Sequence, residues 1–364
     1  MKYLFVIQGE GRGHLTQAMS MEKMLRARGH EVVKMLVGKS KSRTLPAFFT
    51  NGVNAPIAYF DSINFVPTAQ NKRPDAFKTL LFNLWMRPRV LRSLYWLRKE
   101  LKKTDADVIV NFYEIMASVA YDFIRRPAPM ICIGHQFVYL HEDYHFPVFG
   151  YEGHIALNIF SWTIAKSATK TLALSLRPMK EDKSHNIKVV PPLLRPEVAE
   201  LKKGADFKDG DYILGYMLNA GFSEEVIKWH NSHPDVPLHF FWDKLEEAPV
   251  KKIDDTLSFY YLDDKEFLRQ MAGCKAYAST AGFESVCEAM YLGKPLMTVP
   301  SHIEQECNAY DASLDMAAIP SKEFNLDLLL KFSKEGFVRN EQFPEWVDSA
   351  AKRIVWELEH PDAL

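Results

Sequence analysis

Short, continuous apolar runs that end in glycine or a polar residue restrict the fold of this chain more than any other feature. The first run, residues 3–7, precedes a glycine-containing loop at 9–14 and a helical spacing of apolar residues over 15–28, which ends at Gly29. A second apolar run covers residues 31–37. Strands without polar alternation are typical of parallel sheets buried on both faces. The chain therefore opens as a strand–helix–strand unit and predicts an α/β fold.

The length and one proline-rich stretch predict two domains. A chain of 364 residues exceeds what one hydrophobic core usually supports. Prolines at 190–196 interrupt the pattern near the middle of the chain, and strand and helix patterns resume at 212–217. We therefore place the boundary here, with one α/β domain over residues 1–195 and a second over residues 196–340.

Composition excludes several classes of partner. The formal net charge of −1 gives no reason to expect nucleic acid. The four cysteines are far apart and contain no Cys-x-x-Cys pair, which predicts reduced thiols rather than disulfides or a zinc site. The first apolar run is too short for a signal peptide, and no window approaches the roughly eighteen apolar residues of a membrane span. These features predict a cytoplasmic protein.

The region 278–309 carries the most informative pattern. A small-residue turn at 278–282 leads from a strand into a helix. The first N–H groups of a helix and the positive end of its dipole favour an anion, so the turn predicts a phosphate site. Ser285 and Glu288 lie one turn apart on one face of that helix. Because a carboxylate can accept hydrogen bonds from ribose hydroxyls, the pair predicts a nucleotide; the alternative is a purely structural corner.

The residues after this helix extend the pattern: Gly293-Lys294-Pro295, Pro300, Glu304-Gln305 and Asn308-Ala309. The ordered set resembles the donor-binding signature of glycosyltransferases of the GT-B type. The resemblance implies two Rossmann-like domains facing a cleft, with the acceptor on residues 1–195, the nucleotide sugar on 196–340, and a helix within 341–364 that returns to the first domain. It also implies a donor site, with uridine as the expected base, formed by Asn219, Ala281, Gly282, Phe283, Ser285, Glu288, Glu304 and Gln305.

The glycines at residues 9–14 do not form Gly-x-Gly-x-x-Gly, and no acidic residue clearly ends the second strand, so a nicotinamide cofactor is not expected. The loop resembles the glycine-rich, histidine-ending loop of the GT-B branch with the peptidoglycan N-acetylglucosaminyltransferase and the galactosyl-diacylglycerol synthases. The resemblance makes His14 a candidate general base, since neutral imidazole takes up a proton near neutral pH. It also places Gly11, Arg12 and Gly13 beside the acceptor. The alternative is that His14 caps the following helix.

Polar residues also follow two other predicted strands. Glu114 comes after the strand at 107–112, and His135 and Gln136 come after the strand at 130–134. Parallel sheets bind ligands at the carboxyl ends of their strands, so Glu114 and His135 are candidates for proton transfer or acceptor binding, and Gln136 belongs to the acceptor loop. Local capping is the alternative for both candidates. Since no histidine or acidic cluster has metal-ligand spacing, we expect no metal and no other cofactor.

A basic, aromatic stretch allows two interpretations. Residues 72–103 contain ten Lys or Arg and two acidic residues, a local charge of +8, interleaved with apolar side chains. Such a helix can lie on an anionic membrane, which predicts peripheral contact of residues 77–103 with the inner face of the membrane. The alternative is a core helix whose cations extend into solvent.

The combined prediction is an inverting, metal-independent glycosyltransferase that moves a sugar from a nucleoside diphosphate sugar, with UDP expected, to a hydroxyl acceptor. Thr280 stands where many small-molecule glycosyltransferases have histidine, which moves the resemblance toward enzymes with lipid-linked or cell-envelope acceptors. Two alternatives stay open: a UDP-sugar 2-epimerase of the same fold, and a protein that binds nucleotide sugar without turnover.

Overall fold

The computed structural model describes residues 1–40, 44–63, 87–147, 153–203, 210–217, 220–242 and 249–362. Its first lobe is a parallel sheet in the order β3-β2-β1-β4-β5-β6-β7. The strands are β1 (Lys2–Gln8), β2 (Glu31–Lys39), β3 (Ile57–Asp61), β4 (Val108–Phe112), β5 (Met130–Gly134), β6 (Lys170–Leu174) and β7 (Ile187–Val190). The helices are α1 (Arg12–Ala27), α2 (Ala47–Gly52), α3 (Arg87–Lys103), α4 (Ile115–Asp122) and α5 (His154–Ala165).

The second lobe repeats this architecture in the order β10-β11-β9-β8-β12-β13-β14, with β10 antiparallel to β11 and the other pairs parallel. The strands are β8 (Ile213–Tyr216), β9 (Leu238–Trp242), β10 (Val250–Lys252), β11 (Leu257–Tyr261), β12 (Ala276–Ser279), β13 (Leu296–Thr298) and β14 (Ala318–Pro320). The helices after β7 are α6 (Pro196–Lys203), α7 (Ser223–Asn231), α8 (Asp264–Gly273), α9 (Phe283–Tyr291), α10 (Ile303–Leu314), α11 (Leu326–Glu335), α12 (Gln342–Asp348) and α13 (Ala350–Glu359).

Strand order places each predicted binding loop beside a point where the winding of its sheet reverses. In the first sheet β1 lies between β2 and β4, and in the second β8 lies between β9 and β12. The direction of winding reverses at these points, and open α/β sheets bind ligands in the crevice that results. The loop before α1 follows β1, and the turn before α9 follows β12. The predicted two-sheet α/β class is confirmed.

The last helix packs on the first lobe, as predicted. It contacts α1 and β7, and the buried Lys170 of β6 donates to Glu357 Oε2 at 2.7 Å and to the His360 carbonyl at 2.8 Å. The single helix expected within 341–364 is instead α12 and α13, which meet at Ser349. Helix α6 was not predicted, because its lysines and glutamates resemble a polar linker.

Candidate active site between the two sheets

The turn before α9 is held in an uncommon conformation. Ala281 has a φ of 61°, in the left-handed region that non-glycine residues rarely adopt. Its N–H donates to Ser279 Oγ at 3.2 Å, and its carbonyl accepts from Asn308 Nδ2 at 3.0 Å. Gly282 is the N-cap, so the first N–H groups of α9, beginning at Phe283, have no acceptor within the helix. This end of α9 has the properties of an anion site.

Ser285 and Glu288 lie on one face of α9 but have different surroundings. Ser285 Oγ donates to the Gly282 carbonyl at 3.1 Å. Glu288 is buried, and Arg195 places Nε and Nη2 at 2.8 and 2.7 Å from its Oε1. Burial raises the pKa of Glu288, and the charge of Arg195 opposes that rise. Glu288 is therefore already paired with a cation in this structure.

Arg195 belongs to a chain of four charges that joins the lobes. Its Nη1 lies 3.5 Å from Asp264 Oδ1 at the start of α8. The same carboxylate accepts from Nη1 of Arg12, the first residue of α1, at 3.3 Å. Arg12, Asp264, Arg195 and Glu288 thus connect the glycine loop, the crossing between the lobes and two helices of the second lobe.

His14 is buried in the first turn of α1, and both of its ring nitrogens have polar neighbours. Nδ1 is 3.3 Å from Gln17 Oε1, and Nε2 is 3.4 Å from Gln136 Nε2. The ring stacks on Tyr113 with a centroid separation of 5.5 Å. Burial lowers the pKa of His14, partly offset by the nearby Glu284 carboxylate, so the ring is neutral near pH 7.

The two lobes touch at the starts of α1 and α9. Gln17 Nε2 donates to Glu284 Oε1 at 2.6 Å. A Cβ at Gly13 would overlap the Glu284 carboxylate, so glycine allows this approach without displacing that side chain. Gly11, the N-cap of α1, has no comparable restriction.

His135 connects the two lobes beside this contact. Its ring lies parallel to Phe283, with centroids 4.2 Å apart, and its Nε2 is 3.1 Å from Glu304 Oε1. Burial favours the protonated form of Glu304, but the hydrogen bond from His135 and the neighbouring histidines outweigh it and lower the pKa to about 2. The predicted acceptor and donor residues therefore meet directly. Gln305 instead accepts from the Ser301 N–H and hydroxyl, at 2.9 and 2.8 Å.

Two buried polar atoms in this region have no hydrogen-bond partner in the part of the chain that the structure describes. They are His135 Nδ1 and Gln136 Oε1, on side chains that are 4% and 2% exposed. Unpaired buried polar atoms are rare and costly in folded proteins, so each requires an explanation. Because His135 Nε2 donates to Glu304, Nδ1 of the neutral ring is an acceptor, as is the amide oxygen of Gln136, so a ligand that donates a hydrogen bond to each would satisfy both.

Glu114 has the contacts of a helix cap. Its carboxylate accepts from the Met116 N–H at 3.0 Å, which makes it the N-cap of α4, and from Ser62 Oγ at 2.8 Å. Burial raises its pKa to about 7. Asn219, the other predicted site residue at a strand end, lies outside the described residues.

The basic stretch is only partly described, because residues 72–86 fall outside the described ranges. Within α3, Leu97 and Leu101 are buried, whereas Leu91 and Tyr95 are 57% and 63% exposed. This helix therefore both packs in the core and exposes apolar surface. Among the described helices, none has the length and apolar character needed to cross a membrane.

Comparison with known proteins decides the family. The family model described as "Glycosyl transferase family 1" matches residues 1–335. The chain belongs to glycosyl transferase family 1. No protein of curated function matches it in sequence.

Solved structures similar to this family 1 chain include three glycosyltransferases. MurG of Acinetobacter baumannii is 16% identical, with a TM-score of 0.57 and 99% of each chain covered. UGT89C1 of Arabidopsis thaliana, solved with UDP-L-rhamnose, is 13% identical with a TM-score of 0.65, covering 100% of this chain and 99% of the other. UGT71G1 of Medicago truncatula, solved with UDP-glucose, is 12% identical with a TM-score of 0.63, covering 100% and 98%. The likeness shows that this family 1 chain has the GT-B fold.

Four residues of this site in the family 1 enzyme were not predicted from its sequence: Gln17, Glu284, Arg195 and Asp264. Gln17 follows His14 by three positions on a predicted helix, which indicates that their side chains are neighbours. Its partner Glu284 is 267 positions away, and nothing in the local pattern of either residue signals the contact. Arg195 was missed because it lies among prolines, and that stretch was interpreted only as the crossing between the two domains.

Proposed function

We propose that this enzyme transfers a sugar from a UDP-sugar to a hydroxyl acceptor with inversion and without a metal. Residues 1–195 carry the acceptor, residues 196–340 carry the donor, and the helix within 341–364 joins them. The observation that carries the proposal is the stack of His135 on Phe283, which brings the strand ends of the first sheet against the anion-binding end of α9. Two proteins of similar fold, UGT89C1 and UGT71G1, were solved with UDP-sugars, which supports the choice of donor.

In the proposed reaction His14 Nε2 takes the proton of the acceptor hydroxyl. The acceptor oxygen forms a bond to the anomeric carbon as the bond from that carbon to the diphosphate oxygen breaks, so the sugar is inverted and UDP leaves. The backbone N–H groups of residues 281–283, at the turn into α9, and the Ser285 hydroxyl stabilise the charge on the leaving diphosphate, and for this the Ala281 N–H exchanges its bond to Ser279 Oγ for the phosphate. The helix end thus supplies the positive potential that a metal ion supplies in other transferases.

We assign the ribose to Glu288. Arg195 reaches only its Oε1, so the ribose hydroxyls donate to the second carboxylate oxygen. Glu304 exchanges its contact with His135 for hydroxyls of the donor sugar, and Gln305 contacts the same sugar. We assign Asn219 to the diphosphate. Glu114 does not transfer a proton in this scheme, because its carboxylate is engaged as a helix cap. Its role on the acceptor side is to hold the conformation of its loop.

The acceptor is placed beside His135 and Gln136. The unpaired Nδ1 and Oε1 atoms of these side chains supply hydrogen-bonding groups for a hydroxyl compound that approaches His14. The acceptor loop of Gly11, Arg12 and Gly13 lies on the opposite side of the path by which the acceptor reaches His14. Closure of the two lobes excludes the water that would otherwise hydrolyse the donor.

The test measures UDP release from candidate UDP-sugars with and without hydroxyl acceptors, together with analysis of the sugar products. Transfer requires release that depends on acceptor, and His14→Ala should lower kcat by about 10²–10⁴-fold, the usual contribution of general base catalysis. Conversion of the sugar without acceptor would instead identify an epimerase. Stabilisation by UDP without any turnover, unchanged in His14→Ala, would identify a binding protein.

A lipid-linked acceptor and contact with an anionic membrane form a second part of the proposal. Helices α3, α4 and α5 pack side by side on one face of the first sheet. Three apolar residues on one face of α5 are more than half exposed: Ile155, Ile159 and Trp162. The cations of Lys99 and Lys166 each lie 5.5 Å from the rings of exposed aromatic residues, Tyr95 and Trp162 respectively. Exposed apolar and aromatic groups beside lysines fit an anionic bilayer surface.

This contact is tested by co-sedimentation with phosphatidylcholine vesicles that contain or lack phosphatidylglycerol. The wild type is expected to pellet with the anionic vesicles, and Ile159→Glu/Trp162→Glu is expected to stay in solution. Leu314→Glu, at a residue that is 51% exposed in the second lobe, is the matched control and should pellet normally. Equal pelleting of all three proteins would refute the contact.

A further inference from the structure

The side chain of Gln17 connects His14 to the second lobe. Gln17 Oε1 lies 3.3 Å from His14 Nδ1, and Gln17 Nε2 donates to Glu284 Oε1 at 2.6 Å. Gln17 is 1% exposed and His14 is 7% exposed, so solvent is largely excluded from the pair. The three groups form a line from the donor helix α9 to the ring of the proposed base.

The order of donors and acceptors along this line follows from the carboxylate at its end. An ionised carboxylate only accepts hydrogen bonds, so the amide nitrogen of Gln17 has to face Glu284. The amide oxygen then faces His14, and an oxygen acceptor requires a proton on Nδ1. In a neutral imidazole the other nitrogen, Nε2, is left with its lone pair. That nitrogen faces Gln136, beside the proposed acceptor position.

We propose that Glu284, acting through Gln17, is a positioning residue that selects the Nδ1-protonated tautomer of His14, so that the base forms only when the two lobes are in contact. The inference rests on the proposed function, because it gives Nε2 the role of accepting the proton from the acceptor hydroxyl. The group that selects the tautomer of His14 is thus a carboxylate on the donor lobe, whereas the histidine itself belongs to the first lobe.

Four charged or titratable groups face His14: Glu284, Glu304, His135 and the stacked ring of Tyr113. Glu284 and Glu304, both from the second lobe, raise its pKa, whereas His135 lowers it. Glu284→Gln therefore removes a charge that raises the pKa of His14 but keeps an oxygen that can accept from Gln17. Glu284→Leu removes both the charge and the acceptor. The two substitutions separate the effect of charge from the effect of orientation.

The experiment records the ¹⁵N chemical shifts of histidine rings in protein labelled at histidine, which distinguish protonated from unprotonated ring nitrogens. The His14 signals are assigned by their loss in His14→Asn. In the wild type and in Glu284→Gln we expect Nδ1 protonated and Nε2 unprotonated. In Glu284→Leu and Gln17→Leu we expect the shifts to move toward a mixture of tautomers. Glu224→Leu, in the first turn of α7, is the matched control and should leave the shifts unchanged.

Kinetics provide the second readout. Glu284→Leu should lower kcat at least tenfold, but by less than the full effect of about 10²–10⁴-fold that general base catalysis contributes, with KM for the donor little changed. Glu284→Gln should restore most of kcat and shift the acidic limb of the pH profile to lower pH. Unchanged ring shifts in Glu284→Leu would overturn the inference, whatever its activity. Lack of turnover in the wild type would refute the proposed function, and the ring shifts would still decide the tautomer assignment.

Discussion

Arg195 and Glu288 form a nearly buried ion pair in which two guanidinium nitrogens lie 2.8 and 2.7 Å from the same oxygen. Their side chains are 15% and 2% exposed. One partner comes from the crossing between the lobes and the other from the helix proposed to bind the donor. The stability of the second lobe and the geometry of the proposed ribose site therefore depend on the same contact.

Arg195→Leu leaves the carboxylate of Glu288 buried without its cation. We expect the free energy of unfolding to fall by about 3–5 kcal/mol, because an unpaired buried charge is strongly unfavourable. Urea unfolding measures the loss. The double variant Arg195→Leu/Glu288→Leu removes both charges and should recover most of it. Equal stability of the single and double variants would show that the pair does not cause the loss.

Glu114 makes stability depend on pH. Its folded pKa of about 7 lies above the ordinary value of 4.5, so between these values the folded state keeps a proton that the unfolded chain has released. The free energy of unfolding should therefore decrease as pH rises from 4.5 to 7, by an amount of order 3 kcal/mol, and level off above pH 7. Urea unfolding across this range should show a flatter profile for Glu114→Gln. Parallel profiles for the two proteins would contradict the shift.

Gly13→Ala tests the contact between α1 and α9. The new methyl group would overlap the Glu284 carboxylate, so we expect the lobes to separate and the radius of gyration in small-angle scattering to increase. Helix α1 itself should not be weakened, because alanine favours a helix over glycine by about 1 kcal/mol. Gly11→Ala is the matched control, since a Cβ there has no atom within 4 Å. The idea fails if both variants scatter like the wild type.

Lys170→Met should release α13 from the first lobe. The ammonium group is 1% exposed and bonds Glu357 and the His360 carbonyl, so its loss leaves Glu357 without a cation and costs about 3–5 kcal/mol. Faster hydrogen exchange over residues 350–359 would report the release. Lys23→Met removes a more exposed pair, with side chains 40% and 46% exposed, and should leave exchange unchanged. Normal exchange in Lys170→Met would show that other contacts hold the helix.

Local patterns predicted most of the secondary structure. The predicted helix ending at Gly29 corresponds to α1, and Gly29 has the positive φ, 79°, of a helix-ending glycine. Strands β3, β10 and β14 were missed, because they are short and lie at or near the edges of the sheets, where burial imposes less of an apolar pattern. The turn into α9 was recognised because small residues and a following helix are adjacent in sequence.

Contacts between the lobes could not be predicted in the same way. The pair of His135 and Glu304 spans 169 positions, and its formation depends on how two separately folded sheets are oriented. Both residues were named, but for different substrates, and their pairing emerged only from the structure. Glu284 was overlooked between Phe283 and Ser285, because a glutamate in the first turn of a helix is ordinarily explained by the helix dipole alone.

The bond between Lys170 and Glu357 joins residues 187 positions apart, so the first lobe is completed by chain that is synthesised after the whole second lobe. During translation, β6 would carry a buried lysine without its carboxylate, and the surface beneath α13 would be open to water or to a chaperone. A destabilised second lobe would then also delay the maturation of the first. Folding of the first lobe is therefore expected to finish only after the second lobe has been synthesised, although most of its sequence emerges first.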